Sequence, residues 1–367
     1  MTASTTENPG AAVTAAPGPR PRRRFSHRHP MLAYLAKRLV ITAGLLLGVT
    51  VLTFGLVQVV PGDPVTANLS DQALNDPAAV AAFRAKWGLD QPVYLQYWHY
   101  LQHLLTGDLG TSQQTGRAVA EDLLHYVPAT MELAIPTMLL ALLLGTGIGM
   151  LAAVRNGRIT DQLIRVGALL GLSTPPFWLS LVVLYLFFYQ LGLSPSGGRL
   201  SPGFTPPDTV TGMYTVDAAL SGQWDLAWDA AQHLVLPVLV LTCLTVAILV
   251  RFVRSSMLEV LQHDYIKAAY AKGLPTSLVL RRHLLRAGLV PVITVSGLAF
   301  ASLLSGTVLV ENIFGWPGLG QYAYRSASAL DLPAILGASL FVALVYTLVN
   351  LAVDLLYGLI DPRIRLQ

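Results

Sequence analysis

Six stretches of this chain are apolar for longer than a globular core can use, near residues 39–60, 130–154, 166–190, 232–253, 288–310 and 333–357. About 20 apolar residues in a helix cross the roughly 30 Å hydrocarbon layer of a bilayer. No water reaches unpaired backbone groups in that layer, so runs of this length have to be helical. The chain is therefore expected to be an all-α integral membrane protein with six transmembrane helices. Composition agrees, because only 12% of residues are charged and mean hydropathy is +0.56. Soluble domains are closer to a quarter charged.

The formal net charge of +4 does not mark a nucleic-acid binder, because the Lys and Arg residues follow the apolar runs. Seven precede the first run, three (Arg155, Arg158, Arg165) separate the second from the third, seven fall from Arg251 to Arg286 and two lie at the C-terminus. Five of the 24 remain for the opposite side. Positive charge stays cytoplasmic, so both termini are expected inside. Residues 1–30, rich in Pro, Ala and Arg, read as a disordered basic cytoplasmic tail. The run after it is too long for a signal peptide and lacks a small-residue cleavage site, so it is expected to be retained. Cys243 is the one cysteine, which excludes an internal disulfide and a Cys-based metal cluster and suits packing within a span.

The expected parts are thus a tail (1–30), a first span (31–60), an extracytoplasmic segment (61–128), a five-helix domain (129–358) holding a cytoplasmic loop (254–287), and a cytoplasmic end (359–367). Within the outer segment, Tyr94, Trp98, Leu101 and Leu105 recur at helical spacing, which predicts a helix over 91–105 lying on the outer membrane face. His99 and His103 on its other side are four apart but lack further ligands, so no metal site is expected. The second outer segment, 191–231, reads as a structured loop carrying Asp208, Asp217, Asp225 and Asp229.

Gly44/Gly48, Gly145/Gly149 and Gly167/Gly171 have the small-residue spacing that lets helices approach closely. Pro136, Pro175, Pro176, Pro237 and Pro291 remove backbone donors at membrane depth. Thr242, Thr245, Ser296, Ser302, Ser305 and Thr307 give two spans a polar component. Interhelical hydrogen bonding and the lining of a solute pathway both suit these hydroxyls. Asp354 and Glu132 are carboxylates at span ends, where structural pairing competes with a transport role, and Arg363 or Arg365 are the expected partners of Asp354.

Between the fourth and fifth runs lies a polar stretch, His263 to Arg286. Asp264 is placed as N-cap of a two-turn helix over 265–272, with Gly273 in the left-handed position after it and Pro275 forbidding continuation. Thr276 or Ser277 is expected to cap a second helix carrying Arg281, Arg282, His283 and Arg286. A short rigid helix between membrane spans is a shape suited to being pushed by another protein. The chain has no Gly-x-x-x-x-Gly-Lys-Ser/Thr loop for phosphates, no His-Glu-x-x-His, no Gly-x-Ser-x-Gly and no intramembrane chain of carboxylates. Energy for transport has to come from a partner, or the chain is an ATP-independent channel or facilitator.

Several stretches together, in order, resemble one family. They are Val60-Pro61-Gly62-Asp63-Pro64, Gly107-Asp108-Leu109-Gly110, Val127 to Leu133, Ser173-Thr174-Pro175-Pro176-Phe177-Trp178, Asp264-Tyr265 through Ala271-Lys272-Gly273, Glu311 to Gly320, and Asp361-Pro362-Arg363. Over residues 32–365 the chain is similar to the first permease subunit of dipeptide, oligopeptide and nickel importers of the ATP-binding-cassette class. The resemblance implies a type I ABC importer permease fold in a bacterial plasma (inner) membrane. It implies a non-catalytic chain whose partners are a second homologous permease, two ATPase domains that use ATP and Mg, and an extracytoplasmic substrate-binding protein. The lipid membrane is the remaining partner, and no nucleic acid is expected.

Peptides are the implied cargo, with nickel chelates or another peptide-sized solute as the alternative. The stretch at 254–287 becomes the ATPase-coupling loop, with Asp264, Tyr265, Lys267, Ala268, Ala269, Lys272 and Gly273 as its core and Pro291 as the late proline of the pattern. Lys267 stands where many relatives carry an acid. The pathway is assigned to Thr242, Thr245, Ser296, Ser302 and Ser305, and binding-protein docking to Asp63, Asp108, Trp316 and Gly318.

Overall fold

The computed structural model describes residues 30–59, 63, 65–66, 69–329 and 331–360. The tail up to residue 29, Val60, Pro61, Gly62, Pro64, and Asp361, Pro362 and Arg363 fall outside the described residues. Among the described residues regular structure is helical, apart from an isolated bridge between Thr111 and Ala118. Helix α1 (Pro30–Val59) leads to three short helices, α2 (Asp71–Leu74), α3 (Pro77–Trp87) and α4 (Val93–Leu105). Then come α5 (Val119–Val154), α6 (Ile159–Ser173) and α7 (Pro176–Leu184), which runs on through a wide π-type turn at Tyr185–Gln190. Helix α8 (Tyr214–Leu220) precedes α9 (Trp224–Gln262), α10 (Asp264–Ala271) and α11 (Thr276–Val279). A second π stretch, Leu280–Leu284, joins α11 to α12 (Leu285–Gly306), followed by α13 (Val308–Ile313), α14 (Leu319–Ser328) and α15 (Leu332–Ile360).

Six straight spans are not what the described residues form. Four helices are long and apolar enough to cross a membrane: α5, α9, α12 and α15. The third predicted span is broken into α6 and α7, bent by 99°, and counts as a span only as a pair. Thr174 (ψ 121°) and Pro175 (ψ 134°) are extended there, because a residue before proline avoids helical ψ and two successive prolines donate no hydrogen bond. The first span appears as a shorter apolar stretch, Val40–Leu56, within α1. Pro136, Pro237 and Pro291 behave differently, remaining inside continuous helices.

Helices α5 (36 residues) and α9 (39 residues) overrun the predicted spans at both ends or at the outer end. At 1.5 Å per residue each is more than about 50 Å long, well beyond the hydrocarbon layer. The expected boundary at residue 128 therefore falls inside a helix, with Pro128 in its second turn or beyond. Lipid tails are as apolar as leucine, so these helices are held by close packing instead of by escape from water. A Cβ on Gly145 would come 2.7 Å from Leu249 Cβ, and one on Gly149 2.7 Å from Val253 Cβ, so glycine lets α5 and α9 touch along their length. Gly171 does the same for α6 against Ala247. A Cβ on Gly44, Gly48 or Gly167 would meet nothing within 4 Å among the described residues, so their spacing serves no close approach there.

Helix α4 forms where its periodicity predicts. Tyr94, Trp98 and Leu105 point outward, while Tyr97 and Tyr100 pack on Phe54 of α1 at ring distances of 5.3 and 5.9 Å. Burial in that aromatic contact pushes the Tyr100 hydroxyl up to about 12, with help from neighbouring Tyr97.

Candidate functional site

The chain leaves α9 through His263, whose extended backbone (ψ 142°) makes it the N-cap of α10. Asp264 is thus the first helical residue, one place later than predicted, and His263 makes no side-chain cap bond. The Asp264 carboxylate still sits in the first turn, where the helix dipole favours it. Lys267 Nζ donates to its Oδ1 at 3.0 Å, and that hydrogen bond and charge hold the carboxyl below its ordinary range. The helix ends as predicted. Gly273 has φ +75°, its N–H donates to Tyr270 O at 2.9 Å and Leu274 N–H donates to Ala269 O at 3.3 Å, a left-handed termination that closes the last turn. The second expected helix is not a separate unit. Pro275 is the N-cap, neither Thr276 nor Ser277 caps, and α11 continues through the π stretch into α12.

Helix α10 has two faces. Ile266 and Ala269, three apart, are buried in a cluster with Val253, Met257 and Val260 of α9, Val279 and Leu284 after the turn, Val292 of α12 and Ala153 of α5. Asp264, Tyr265, Lys267, Ala268, Lys272 and Gly273 are exposed. The predicted small pair is therefore split, Ala268 facing out and Ala269 seated within. Gly288 of α12 lies directly on Met257, where a Cβ would overlap the sulfur. Helix α10 therefore packs in one cluster with residues of α5, α9 and α12.

A salt-bridge knot lies beside it. Arg254 Nε donates to Asp161 Oδ1 at 2.6 Å, and its Nη2 donates to Asp161 Oδ2 and to Asn156 Oδ1, both at 2.9 Å. Gly157 N–H adds a 3.0 Å bond to Asp161, so the α5–α6 turn is fastened to α9. Asp354 pairs with Arg38 of α1, while Arg363 and Arg365, the partners expected from sequence, lie outside the described residues.

The pathway hydroxyls divide. Thr245 donates to Leu241 O in its own helix at 2.8 Å. Thr242 and Ser296 are buried and have no hydrogen-bond partner among the described residues. Ser302 is exposed, and the Ser305 side chain is outside the described residues.

The four docking residues also divide. Asp63 is exposed and lies 3.7 Å from Arg84, while Asp108 accepts from Gly110 N–H and approaches His103 at 3.2 Å. Trp316 is 1% exposed, donates from Nε1 to Ala129 O at 2.8 Å, and offers no surface to an incoming protein. Gly318 is placed by its lack of a side chain, since a Cβ would overlap the Glu311 carboxylate.

That carboxylate is the residue whose role the sequence does not reveal. Glu311 is fully buried, accepting from the hydroxyls of Thr130 and Thr307 at 2.8 Å and from Gln321 N–H at 2.8 Å. Thr130 Oγ1 in turn accepts from Leu319 N–H at 2.7 Å, and Trp316 N–H donates to Glu311 O at 2.7 Å. A turn of α5 away, Glu132 meets Arg199 at 2.6 Å and accepts twice from Thr215 at 2.7 Å. Arg199 lies 3.4 Å from the centre of the Tyr214 ring. Structural pairing is what the structure shows for Glu132. The readable signal for Glu311 was an acid ending an apolar run ahead of a glycine-rich turn, but one of its partners, Thr130, is 181 residues away in sequence.

Comparison with known proteins follows this geometry. Residues 145–366 match the family model described as "Binding-protein-dependent transport system inner membrane component", and residues 31–134 match its N-terminal counterpart, "Binding-prot-dependent transport system membrane comp, N-term". The chain is 47% identical over 317 residues to the "Probable D,D-dipeptide transport system permease protein DdpB" of Escherichia coli K12, covering 86% of this chain and 93% of that one. It is 41% identical over 335 residues to the dipeptide transport system permease protein DppB of Alkalihalophilus pseudofirmus, covering 91% and 100%. The glutathione transport system permease protein GsiC of Salmonella typhimurium is 37% identical over 335 residues, covering 91% and 99%.

Proposed function

From the premise that this chain belongs to the inner membrane components of binding-protein-dependent transport systems, we propose that it is one permease half of an ATP-driven importer of di- and oligopeptides. The relatives' names share short peptides as cargo, which supports that substrate class. A second, similar permease completes the pathway, two ATPase domains bind ATP with Mg, and an extracytoplasmic binding protein delivers the peptide. This chain itself performs no bond chemistry.

The observation that carries the reading is the two-faced helix α10. Its exposed face (Tyr265, Ala268, Lys272) is where an ATPase groove seats, with the small Ala268 side chain allowing close approach. Its buried face, through Ile266 and Ala269, is continuous with α5, α9 and α12. When ATP draws the ATPases together, α10 moves as a rigid body and the long helices rock with it, closing access from the cytoplasm and opening it to the outside. The apolar cluster makes this a lever, because packed side chains transmit displacement with little give.

The test is Ala268→Asp in the assembled transporter. The variant inserts and melts like the wild type, the ATPase subunits fail to co-purify, and ATP-dependent peptide uptake falls to background. Normal assembly and uptake would overturn the coupling assignment, and ATP-independent uptake by the purified chain would favour a facilitator.

A further inference from the structure

We propose that the slot between α6 and α9 beside the Asp161–Arg254 pair is a binding site for one anionic phospholipid. The slot has a volume of about 260 Å³ and is lined by Arg165, Leu169 and Leu172 of α6 and Arg251, Arg254 and Ser255 of α9. It is closed at both ends. Toward the membrane centre the helices touch, where a Gly171 Cβ would come 2.9 Å from Ala247 Cβ. At the other end Arg254 bridges to Asp161 at 2.6 Å. Between these points the slot lies along the seam of the two helices and is lined from both.

Its lining has two chemistries in the order a lipid requires. Two of its three arginines, Arg165 and Arg254, flank the Asp161 carboxylate and the third, Arg251, lines the slot, leaving an excess of positive charge. Arg165 stands 3.8 Å from Asp161 with half its side chain exposed, and among the described residues Arg251 has no ion-pair partner, lying over the Phe252 ring at 5.5 Å. The Ser255 hydroxyl is exposed next to them. Roughly 6 to 10 Å further along α6, by its rise per residue, come Leu169 and Leu172, 58% and 39% exposed. Arginine forks pair with phosphate oxygens in bidentate fashion, and basic pockets between spans on the cytoplasmic side suit anionic headgroups. A free phosphate would use the cations but leave the leucine wall empty, and a neutral lipid would leave the cations unpaired. The inference rests on the charge-based placement of this end of the helices in the cytoplasm.

The experiment is native mass spectrometry of the complete transporter, extracted from nanodiscs containing phosphatidylglycerol and phosphatidylcholine. The wild type retains phosphatidylglycerol selectively. Replacing both cations (Arg165→Gln with Arg251→Gln) lowers that retention by about tenfold or more, as loss of two charge-assisted contacts implies. Leu169→Trp, which fills the slot and keeps every charge, lowers it as well. Unchanged retention in either variant, equal retention of phosphatidylcholine by the wild type, or displacement of the lipid by free glycerol phosphate would each overturn the proposal. Co-purification of the ATPases with the variants tests the reading of α10 separately, since neither set of substitutions touches that helix.

Discussion

The loop around Glu311 and the helix α10 are the two most sharply specified turns of the chain, and they are specified by opposite means. The Glu311 loop is held by buried hydrogen bonds to a carboxyl group, by an indole bonded to a carbonyl, and by a glycine that leaves room for that carboxyl. Helix α10 is held by two inward side chains and a left-handed glycine, and most of its surface faces solvent. A buried carboxyl with several donors leaves little freedom to move, because any opening strands polar groups. A helix seated by two side chains can move with the elements beneath it and still present a face. The contrast assigns rigidity to one turn and mechanical linkage to the other.

Breaking the comparison at its strongest point should give the largest effect. Glu311→Ala strands the donors of Thr130, Thr307 and Gln321, and a cost of about 3 kcal/mol or more is expected from an uncompensated buried network. Gly318→Ala should be similarly damaging, since its methyl overlaps the carboxylate. Melting of the purified chain checks both, and a wild-type transition would show that the network is dispensable.

Ala269→Asp comes next. It buries a lone carboxylate in the cluster under α10, so stability falls by about 2–3 kcal/mol. Ala268→Asp, one residue earlier and exposed, leaves the melting transition in place while the ATPases are lost. Equal melting of the two variants would erase the two-faced description. Trp316→Phe keeps one aromatic ring but loses the pyrrole part with its N–H, which leaves a small cavity and Ala129 O unpaired, at about 2 kcal/mol.

Acid separates the outer turns further. Burial pushes the Asp217 carboxyl up, but the Thr211 hydroxyl and the N–H groups of Thr211, Gly212 and Val210 outweigh it and hold the group below its ordinary range. A depressed folded value contributes stability that is complete above the ordinary aspartate range and is lost as pH falls through the folded value. Proteolysis of the 208–217 turn should therefore rise only in strong acid, and Asp217→Asn should open it at every pH. Lys267→Glu is the smallest perturbation. It removes an ion pair exposed on both sides, and such pairs contribute little, so the melting curve stays where it was.

Reading from the chain alone succeeded where the determining contacts are local. The left-handed end of α10 follows from Gly273 and Pro275, and the outward aromatic face of α4 follows from its spacing. It misplaced the N-cap of α10 by one residue, because His263 takes the capping backbone conformation without a capping side chain. Apolar runs marked the membrane layer but not the helix ends. Once an α5 or α9 turn is hydrogen-bonded it continues into the polar layers, so residues 119–129 and 224–231 are helical without being apolar enough to signal a span.

The amino-acid order by itself determined the helical class, the number of apolar runs, and a solvent-facing helix between the fourth and fifth. Those properties depend on residues within a few turns of one another. Tertiary structure alone decided that Thr130 and Leu319 close on Glu311, that Arg38 meets Asp354 from more than 300 residues away in sequence, and that Ala269 faces in while Ala268 faces out. It also left Pro237 inside one continuous helix, whereas the 99° break at Pro175 and Pro176 follows from local proline geometry. Each of those tertiary outcomes depends on which distant groups arrive to satisfy a charge, fill a groove or support a freed carbonyl, and a linear pattern carries no distance between them.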